Sequence, residues 1–458
     1  MAMREDRLLP ADPAVRPVAR RLYEAVRDLP IISPHGHVDP RMLLADEPFT
    51  DPTALFITPD HYVTRLLHAG GVTLNRLGVG QGPLTEQRSR EAWRLLCANW
   101  ALLRGTPVRY WLETEFAGIY GITERPSAGN ADDLYDRIAG AAKRPQELLN
   151  GFGIEFLATT DDPADDLGPH RELARTVKTR VAPTFRPDAY LEPAAPGWAG
   201  KVERLGAAAD TDVSHYQGYL AALESRRRHF KANGAVSADH SHADARAEPV
   251  DHPERLYEKA LRGEISAEEG AAFRRHMMLQ MARMSAEDGL VMTLHPGIHR
   301  NHHPPTFQRY GPDTGHDIPT TVEFTRALAP LLARHGTDPG FHLVLFTVDA
   351  TVYSREIAPL AGFYPSVYAG VPWWFLDNPS AIRHFQESVT EIAGFSRLSG
   401  FIDDTRALCS IPARHDMSRR LDAGYLAGLV CTHRLDEDEA LETLTALVTD
   451  QPRKVFKL

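Results

Sequence analysis

The sequence predicts an α/β fold, a closed (β/α)8 barrel of the TIM type with a helical insertion after the first strand. Short apolar, β-branched segments that end in polar residues recur eight times along the 458 residues, and eight such units match a closed barrel. Long segments with helical periodicity separate most of them, as in a parallel sheet covered by helices. The alternative, an open doubly wound sheet, usually carries a glycine-rich phosphate loop after its first strand, and this chain has none.

Each predicted strand is short and is followed closely by a side chain suited to a binding site. In chain order, the strands are predicted at residues 29–33, 153–160, 180–185, 234–238, 289–294, 341–347, 365–371 and 398–403. The residues that follow them are His35, Asp161, Arg186, Asp239 with His240, His295, Asp349, Trp373 and Asp404. Because the carboxyl ends of the strands carry the chemistry in this fold, these residues are the first candidates for a functional site.

The connection between the first two strands is much longer than the others. Residues 60–150 are mostly helical in pattern, and we expect a helical insertion folded over the barrel mouth. The chain then divides into residues 1–59 with the first strand, the insertion at 60–150, and residues 151–458 with the rest of the barrel. A second alanine-rich segment, 205–233, is predicted to be a solvated helix with the basic run "SRRRHF" on its exposed face.

Composition and charge exclude several classes of function. With 43% hydrophobic and 24% charged residues, the chain has the composition of a globular protein. Its net charge of -10 disfavours nucleic acids and anionic membranes as partners. Three widely spaced cysteines suit a reducing compartment, and neither an apolar signal core nor a run of membrane-spanning length is present. We therefore expect a cytoplasmic protein without nucleic-acid or membrane partners.

The segment "PIISPHGHVD" at residues 30–39 places two histidines directly after the first strand. In an extended chain, side chains two residues apart point to the same face, so His35 and His37 are aimed at one point. Barrel closure brings the first strand beside the eighth, where Asp404 joins them. Imidazoles and a carboxylate are a usual ligand set for Zn²⁺ or Mn²⁺, and three ligands leave open the position that a catalytic ion needs. We predict one divalent ion, preferably Zn²⁺.

Two further histidines at strand ends, His240 and His295, extend the choice of ligands. We include His240 as an additional metal ligand. The alternative for both is a hydrogen-bonded histidine in the pocket.

The His-x-His pair with a strand-eight aspartate resembles the amidohydrolase superfamily, and longer segments narrow the resemblance to one family. These segments are "HGHVDP", "DHYVTRLLHAGGV", "RGTPVRYWLETEFAGIYGI", "LATTDDPADDL", "TFRPDAYL", "ADHSH", "HPGIHRNHH", "WWFLDNP" and "GFIDDTRALCSIPARHDMSRR". In this order, over essentially the full chain, they resemble the uronate isomerase (glucuronate/galacturonate isomerase) family. The chain departs from the family pattern at Ser33, where Asp is common, and at "DTRA", 404–407, where Asp-Ser-Arg-Ser is common. Both departures spare the metal-binding and charged positions.

The resemblance implies an isomerase that interconverts hexuronic acids, D-glucuronate with D-fructuronate and D-galacturonate with D-tagaturonate, through a cis-enediol. It implies that Asp404 acts as base, as metal ligand or as both. Arg406, two residues on, would stabilise the oxyanion, with a plain ion pair to Asp404 as the alternative. His61 and Tyr62 lie in a "DHY" similar to the family's active-site lid and would reach the substrate from above, Tyr62 as a proton carrier. We further expect a small hexuronate as the ligand and a homo-oligomeric assembly.

Arginines and tryptophans supply the predicted substrate contacts. Arg186 lies at a strand end, where a guanidinium suits bidentate recognition of the substrate carboxylate. Arg300 and Arg414 are further candidates for this contact, with surface ion pairing as the alternative. Trp373 and Trp374 are predicted to wall the sugar, although a tryptophan pair is also common in a core.

Two other functions are alternatives. A metal-dependent hydrolase of the same superfamily, a lactonase or a deaminase, would use the same strand ends, but the bridging lysine or glutamate of binuclear hydrolases is missing from the fourth strand. A non-catalytic sugar-acid binding protein would keep Arg186 but would not need Asp404 together with Arg406.

Overall fold

The computed structural model describes residues 4–458, in which nine strands form two parallel sheets and one antiparallel pair. The strands are β1 Ile31–Ser33, β2 Ile154–Ala158, β3 Arg180–Ala182, β4 Ser237–His240, β5 Val291–Leu294, β6 Ile298–His299, β7 Ile318–Pro319, β8 Leu343–Leu345 and β9 Val367–Ala369. One parallel sheet has the order β1-β2-β3 and the other has the order β4-β5-β8-β9, while β6 pairs antiparallel with β7. The predicted α/β class with parallel strands is confirmed.

One single bridge joins the two parallel sheets, and another extends the second sheet beyond β9. Phe185, just after β3, pairs with Ala238 of β4, and Ala369 of β9 pairs with Leu398. Leu398 begins the predicted eighth strand, but over the described residues 398–403 the ladder is limited to this bridge. The chain leaves the extended conformation at Gly400, whose φ of +76° favours glycine. The strand predicted at residues 398–403 is therefore reduced to a single bridge at Leu398.

The parallel strands lie in the core. Every residue of β4, β5, β8 and β9 is buried, as expected for parallel strands whose two faces are both covered. Among residues 4–458, no helix has both the length and the apolar character needed to cross a membrane.

The first eight helices precede β2. They are α1 Val15–Val26, α2 Pro40–Ala45, α3 Pro52–Phe56, α4 His61–Ala69, α5 Glu86–Ala98, α6 Pro107–Tyr120, α7 Ala131–Ala141 and α8 Pro145–Gly151. The side chain of Asp60 caps α4 by accepting a hydrogen bond from the backbone N–H of Tyr62 (2.8 Å). This cap fixes where α4 begins and places His61 and Tyr62 in its first turn.

The remaining thirteen helices that the structure describes follow β2. They are α9 Gly168–Thr176, α10 Asp188–Leu191, α11 Trp198–Ala209, α12 Tyr216–Ala232, α13 Pro253–Leu261, α14 Ala267–Asp288, α15 Pro304–Tyr310, α16 Ala329–His335, α17 Ala358–Phe363, α18 Pro379–Ala393, α19 Ile411–Cys431, α20 Glu437–Thr445 and α21 Gln451–Phe456. The longest, α14, begins with a capping box in which Ser266 and Glu269 each bond the other's backbone N–H.

The basic run on α12 is a correction to the sequence prediction. Two of its three arginines are buried: Arg226 is 7% exposed and Arg227 is 1% exposed. Arg227 forms an ion pair with Asp288 of α14 (2.6 Å), and Arg226 donates hydrogen bonds to the backbone carbonyls of Pro163, Ala208 and Asp165. The predicted solvated face is therefore wrong, because carbonyls and a carboxylate satisfy the guanidinium groups inside the protein.

Candidate active site

A cavity of about 410 Å³ lies at the carboxyl ends of the parallel strands. His35 and His37 reach it after β1, Arg186 after β3, His295 after β5 and Trp373 after β9. This is the face on which barrel enzymes carry their chemistry. Most residues predicted for the site line this cavity: His35, His37, His61, Tyr62, Arg186, Arg300, Trp373, Trp374, Asp404 and Arg406.

His35, His37 and Asp404 form a group that could hold a metal ion, with ligand atoms within 4.8 Å of one another. Oδ1 of Asp404 lies 2.9 Å from Nε2 of His37 and 3.4 Å from Nε2 of His35. This buried oxygen has no hydrogen-bond partner of suitable geometry among the described residues. Two imidazole nitrogens and an unpartnered carboxylate oxygen that converge in this way fit a divalent cation.

The backbone holds this group together. The N–H of His37 donates to the carbonyl of Thr405 (2.9 Å), which ties the end of β1 to the segment that carries Asp404. Gly36 lies in this contact, since a Cβ atom there would meet the same carbonyl at 3.4 Å.

A second group, His35, Asp239 and His295, shares one histidine with the first. Nδ1 of His295 donates to Oδ1 of Asp239 (2.6 Å), and Nε2 of His35 lies 4.0 Å from the other oxygen, Oδ2. Nη1 of Arg186 lies 3.4 Å from the same Oδ2. Because this guanidinium already neutralises Asp239, the second group suits a cation less well than the first.

Charges around the cavity set the protonation of its residues. Burial alone would raise the pKa of Asp404, but His35 and His37 hold it well below the usual range. Burial would lower the pKa of His35, yet the charges of Asp239 and Asp404 raise it. Burial, followed by the charge of Arg406, lowers the pKa of His61 to about 3. Asp404 is therefore ionised and His61 neutral near pH 7.

Arg186 and Arg300 present cationic groups to the cavity from different sides. Nε of Arg186 donates to Oδ2 of Asp188 (3.0 Å), which fixes its guanidinium beside β4. Arg300 donates to Oγ of Ser241 (3.1 Å), and its guanidinium lies 5.2 Å from the ring centroid of Trp374. Two positioned guanidinium groups suit a substrate that carries a carboxylate.

Arg414 does not line the cavity, so its position does not support the predicted contact with substrate. It is 1% exposed and forms a buried ion pair with Asp377. Its guanidinium lies 4.9 Å from the ring of Tyr62 and 3.7 Å from that of Trp111. It therefore packs behind Tyr62, where it supports the cavity wall. The helical spacing of residues in "PARHDMSRR" does not indicate that the Arg414 side chain points behind Tyr62 and away from the cavity.

His240 lies outside the cavity lining and outside both candidate ligand groups. Its Nδ1 lies 3.2 Å from the carbonyl oxygen of Thr293. Alternation along β4 explains this position, because Asp239 and Ser241, on the opposite face, are the residues that reach the cavity. The predicted additional ligand role of His240 is therefore not supported by its position.

The sequence assigned no ligand, catalytic or substrate-binding role to several cavity residues. They are Asp60, Asp188, Asp239, Ser241, Pro312, Asp313, Thr405 and Ala407. Asp188 and Asp239 follow or end predicted strands, so strand-end position and alternation were the signals that could have identified them. Asp313 lies far from any predicted strand, and nothing in the sequence indicated it.

Taken together, the cavity offers an ionised carboxylate, three guanidinium groups and a neutral imidazole within one volume. Such a set can bind a small anion and move a proton on it.

Comparison with known proteins agrees with this chemistry. The glucuronate isomerase family model matches residues 3–452. A uronate isomerase from Cutibacterium acnes is 52% identical over 466 residues, covering 100% of this chain and 99% of that protein. The crystal structure of glucuronate isomerase from Caulobacter crescentus has a TM-score of 0.97 at 43% identity, with 100% of this chain and 97% of that chain covered. That of uronate isomerase from Thermotoga maritima has a TM-score of 0.93 at 29% identity and full coverage of both chains.

Proposed function

The chain belongs to the glucuronate isomerase family, and on that premise we propose how its own side chains isomerise hexuronates. Its activity is the isomerisation of uronates, and we assign to it the pairs D-glucuronate with D-fructuronate and D-galacturonate with D-tagaturonate. The observation that carries the proposal is the convergence of His35, His37, Asp404, Arg406 and Arg186 on one cavity. The hydrolase alternative is not favoured, since the full-length relatives are isomerases.

The proposed architecture is a (β/α)8 barrel in which the segment after β9 lies beside β1. Two contacts support it: the bridge between Ala369 and Leu398, and the hydrogen bond from the N–H of His37 to the carbonyl of Thr405. In this arrangement, residues 60–150 form a helical insertion whose first helix, α4, supplies His61 and Tyr62 to the cavity.

We propose that His35, His37 and Asp404 hold one divalent ion, with Zn²⁺ preferred to Mn²⁺. Their donor set fits either ion, and nitrogen ligands favour Zn²⁺. When bound, the ion supplies positive charge that polarises substrate oxygens.

The reaction moves one proton between carbon 2 and carbon 1 of the substrate. Asp404 accepts the proton from carbon 2 of the aldose while Tyr62 gives its hydroxyl proton to the aldehyde oxygen, and the cis-enediol forms. Asp404 then returns its proton to carbon 1, and Tyr62 recovers a proton from the oxygen on carbon 2. Arg406 stabilises the negative charge that develops on these oxygens. Neutral His61 packs against Tyr62, with ring centroids 4.8 Å apart, and keeps its ring in place.

The substrate carboxylate is placed against Arg186 and Arg300, and the carbon chain of the open sugar against Trp373 and Trp374. Arg186 is the primary clamp, because its Nε donates to Oδ2 of Asp188 (3.0 Å), which fixes its orientation. Arg300, directly after β6, lines the same cavity.

The test follows hydrogen exchange during turnover. Purified protein is incubated with D-glucuronate or D-galacturonate in deuterium oxide, and proton NMR follows carbon-bound deuterium. We expect the ketose to form, with deuterium at carbon 1 where the proton on Asp404 exchanges with solvent. Asp404→Asn should lower turnover by roughly 10²-fold or more, the usual contribution of a general base. If neither uronate is converted, the proposed function is wrong; near-normal turnover by metal-loaded Asp404→Asn would place the base elsewhere.

We also propose a cytoplasmic location and a homo-oligomeric assembly. The three cysteines, Cys97, Cys409 and Cys431, are free thiols, which supports a reducing compartment. Exposed apolar side chains such as Phe363 and Ile392 support self-association.

A further inference from the structure

The chain between β5 and α16 covers one side of the cavity. It carries β6, α15 and β7, and its Arg300, Pro312 and Asp313 line the cavity. Gly315 of this segment packs directly against α4: its φ is +90°, and a Cβ atom there would lie 2.7 Å from Cβ of Arg65. Two segments that follow different strands, β1 and β5, therefore meet at the cavity.

Asp313 lies between two arginines of the cavity. Its Oδ2 is 3.4 Å from Nη2 of Arg406, and its Oδ1 is 3.8 Å from Nη1 of Arg300. Partial burial would raise the pKa of Asp313, but Arg406 and then Arg300 lower it, so the carboxylate is ionised at neutral pH. The backbone of Asp313 is left-handed (φ +59°), a conformation that Asp and Asn adopt more readily than other residues with a Cβ atom.

The two arginines depend on Asp313 to different degrees. Arg300 has other partners, since it donates to Ser241, lies near Oδ2 of Asp317 (3.5 Å) and stacks on Trp374. For Arg406, Asp313 is the single ion-pair partner among the residues that the structure describes. The Arg406 side chain is 36% exposed, so without that partner it is free to leave its position over the cavity.

We propose that Asp313 is a positioning residue that holds the Arg406 guanidinium over the reacting carbon atoms. The inference rests on the proposed role of Arg406 in stabilising the enediolate. The covering segment thus contributes to turnover through an ion pair, in addition to enclosing the substrate. Orientation of a charged group toward the developing charge is worth more in the transition state than in the ground state, so its loss lowers kcat more than it raises KM.

The first test is Asp313→Asn, which removes the charge and keeps a side chain suited to a left-handed backbone. We expect kcat to fall roughly ten- to hundredfold, with KM changed less than about threefold, because misplacing one group can cost this much. Asp313→Gly, which also tolerates the backbone conformation, should behave in the same way. The matched variant is Asp317→Asn, on the same segment. It weakens the support of Arg300 and should raise KM more than it lowers kcat.

A double-mutant cycle separates this role from a general disturbance of the segment. If Asp313 acts only through Arg406, Asp313→Asn should have no further effect on kcat in an Arg406→Met background. A kcat of Asp313→Asn within about twofold of wild type, or a full additional loss in the Arg406→Met background, would overturn the inference. If Arg406→Met itself retains wild-type kcat, the proposed role of Arg406 fails, which is a separate result from the failure of Asp313→Asn alone.

Discussion

Asp404 and Trp374 adopt left-handed backbone conformations, with φ of +43° and +51°, and both line the cavity. Such conformations cost free energy for residues with a Cβ atom and persist where the surroundings hold them. Around Asp404, the carbonyl of Thr405 is bound by the N–H of His37, and the neighbouring Asp403 is bound by Nε2 of His415 (3.1 Å). The position of the Asp404 carboxylate is therefore determined by contacts on both sides of it along the chain.

The group formed by His35, His37 and Asp404 can be tested through the metal content of the protein. The variant His35→Ala/His37→Ala removes two of the three ligands in the group best suited to a divalent ion, so we expect its metal content to fall well below that of the wild type. Elemental analysis of dialysed protein by mass spectrometry measures this. His240→Gln serves as the comparison and should keep its metal, because His240 lies outside both ligand groups. Wild-type metal content in the double histidine variant would contradict the assignment.

The directions of some cavity residues follow from the period of an extended chain, whereas His61 and Tyr62, in the first turn of α4, were placed there by resemblance to the family. His35 and His37 are two residues apart after β1, and both line the cavity. At β4 this period was not applied, and His240 was preferred to Asp239 as a site residue, although Asp239 is the one that lines the cavity. Arg414 lies on α19, where helical packing against Tyr62 and Trp111 decides its direction. Such packing depends on tertiary contacts that no local pattern contains.

At the scale of secondary structure, α12 and α14 are joined through one buried ion pair. Arg227 of α12 donates to both oxygens of Asp288, the last residue of α14, and to Oγ of Ser285 (2.9 Å). The two partners differ in environment, since the Arg227 side chain is 1% exposed and that of Asp288 is 20% exposed. Loss of the Asp288 carboxylate therefore leaves the buried charge of Arg227 without its ion-pair partner, whereas loss of the Arg227 guanidinium leaves a carboxylate that water can reach.

We predict that Asp288→Ala destabilises the protein more than Arg227→Met. Breaking a buried pair from its better-solvated side should cost on the order of 3 kcal/mol, because Arg227 keeps only Ser285 as a side-chain hydrogen-bond partner. Thermal unfolding followed by circular dichroism at one scan rate measures the order of the apparent Tm values. The double variant Arg227→Met/Asp288→Ala should be more stable than Asp288→Ala alone. Equal losses for the two single variants would show that the buried charge does not determine the cost.

Most parallel strands could be predicted because their patterns extend over several residues. The parallel strands β1 to β5, β8 and β9 all begin within the predicted segments, although their exact ends differ from the predicted ones. The antiparallel pair β6 and β7 was not predicted, since each strand has two residues and shows no alternation. The segment that carries this pair also carries Asp313. Both were missed for the same reason, because this segment has no periodic pattern.

At the scale of the whole molecule, residues at opposite ends of the chain support the site. Arg419 of α19 donates hydrogen bonds to the backbone carbonyls of Arg27, Leu29 and Pro30, at 2.7, 2.9 and 3.0 Å. These bonds fix the chain just before β1, and thereby the strand that leads to His35. A contact between residues so far apart in sequence could not be predicted from periodicity or composition.

Burial of acidic groups makes the stability of the folded protein depend on pH, and Glu115 of α6 shows the effect most clearly. Burial, with a smaller contribution from the charge of Asp60, raises the pKa of Glu115 from 4.5 to about 8. Between these two values the folded protein holds a proton that the unfolded chain has lost. By linkage, the contribution of Glu115 to the free energy of unfolding is fully present below about pH 4.5 and declines as the pH rises toward 8.

We therefore predict that Glu115→Gln, which keeps the shape and cannot ionise, gains stability over the wild type as the pH rises. The difference in apparent Tm, variant minus wild type, should be small at pH 4.5 and should widen up to pH 8, where the wild type must bury a charge. Other titrating groups are common to both proteins and cancel in this difference. Glu203→Gln on α11 is the matched control: its exposed carboxylate is solvated in the folded and unfolded chains alike, so its difference should stay flat. A difference for Glu115→Gln that is constant or narrows with rising pH would show that the carboxyl of Glu115 finds compensation in the folded protein, and that the pH dependence of stability arises from other buried acids.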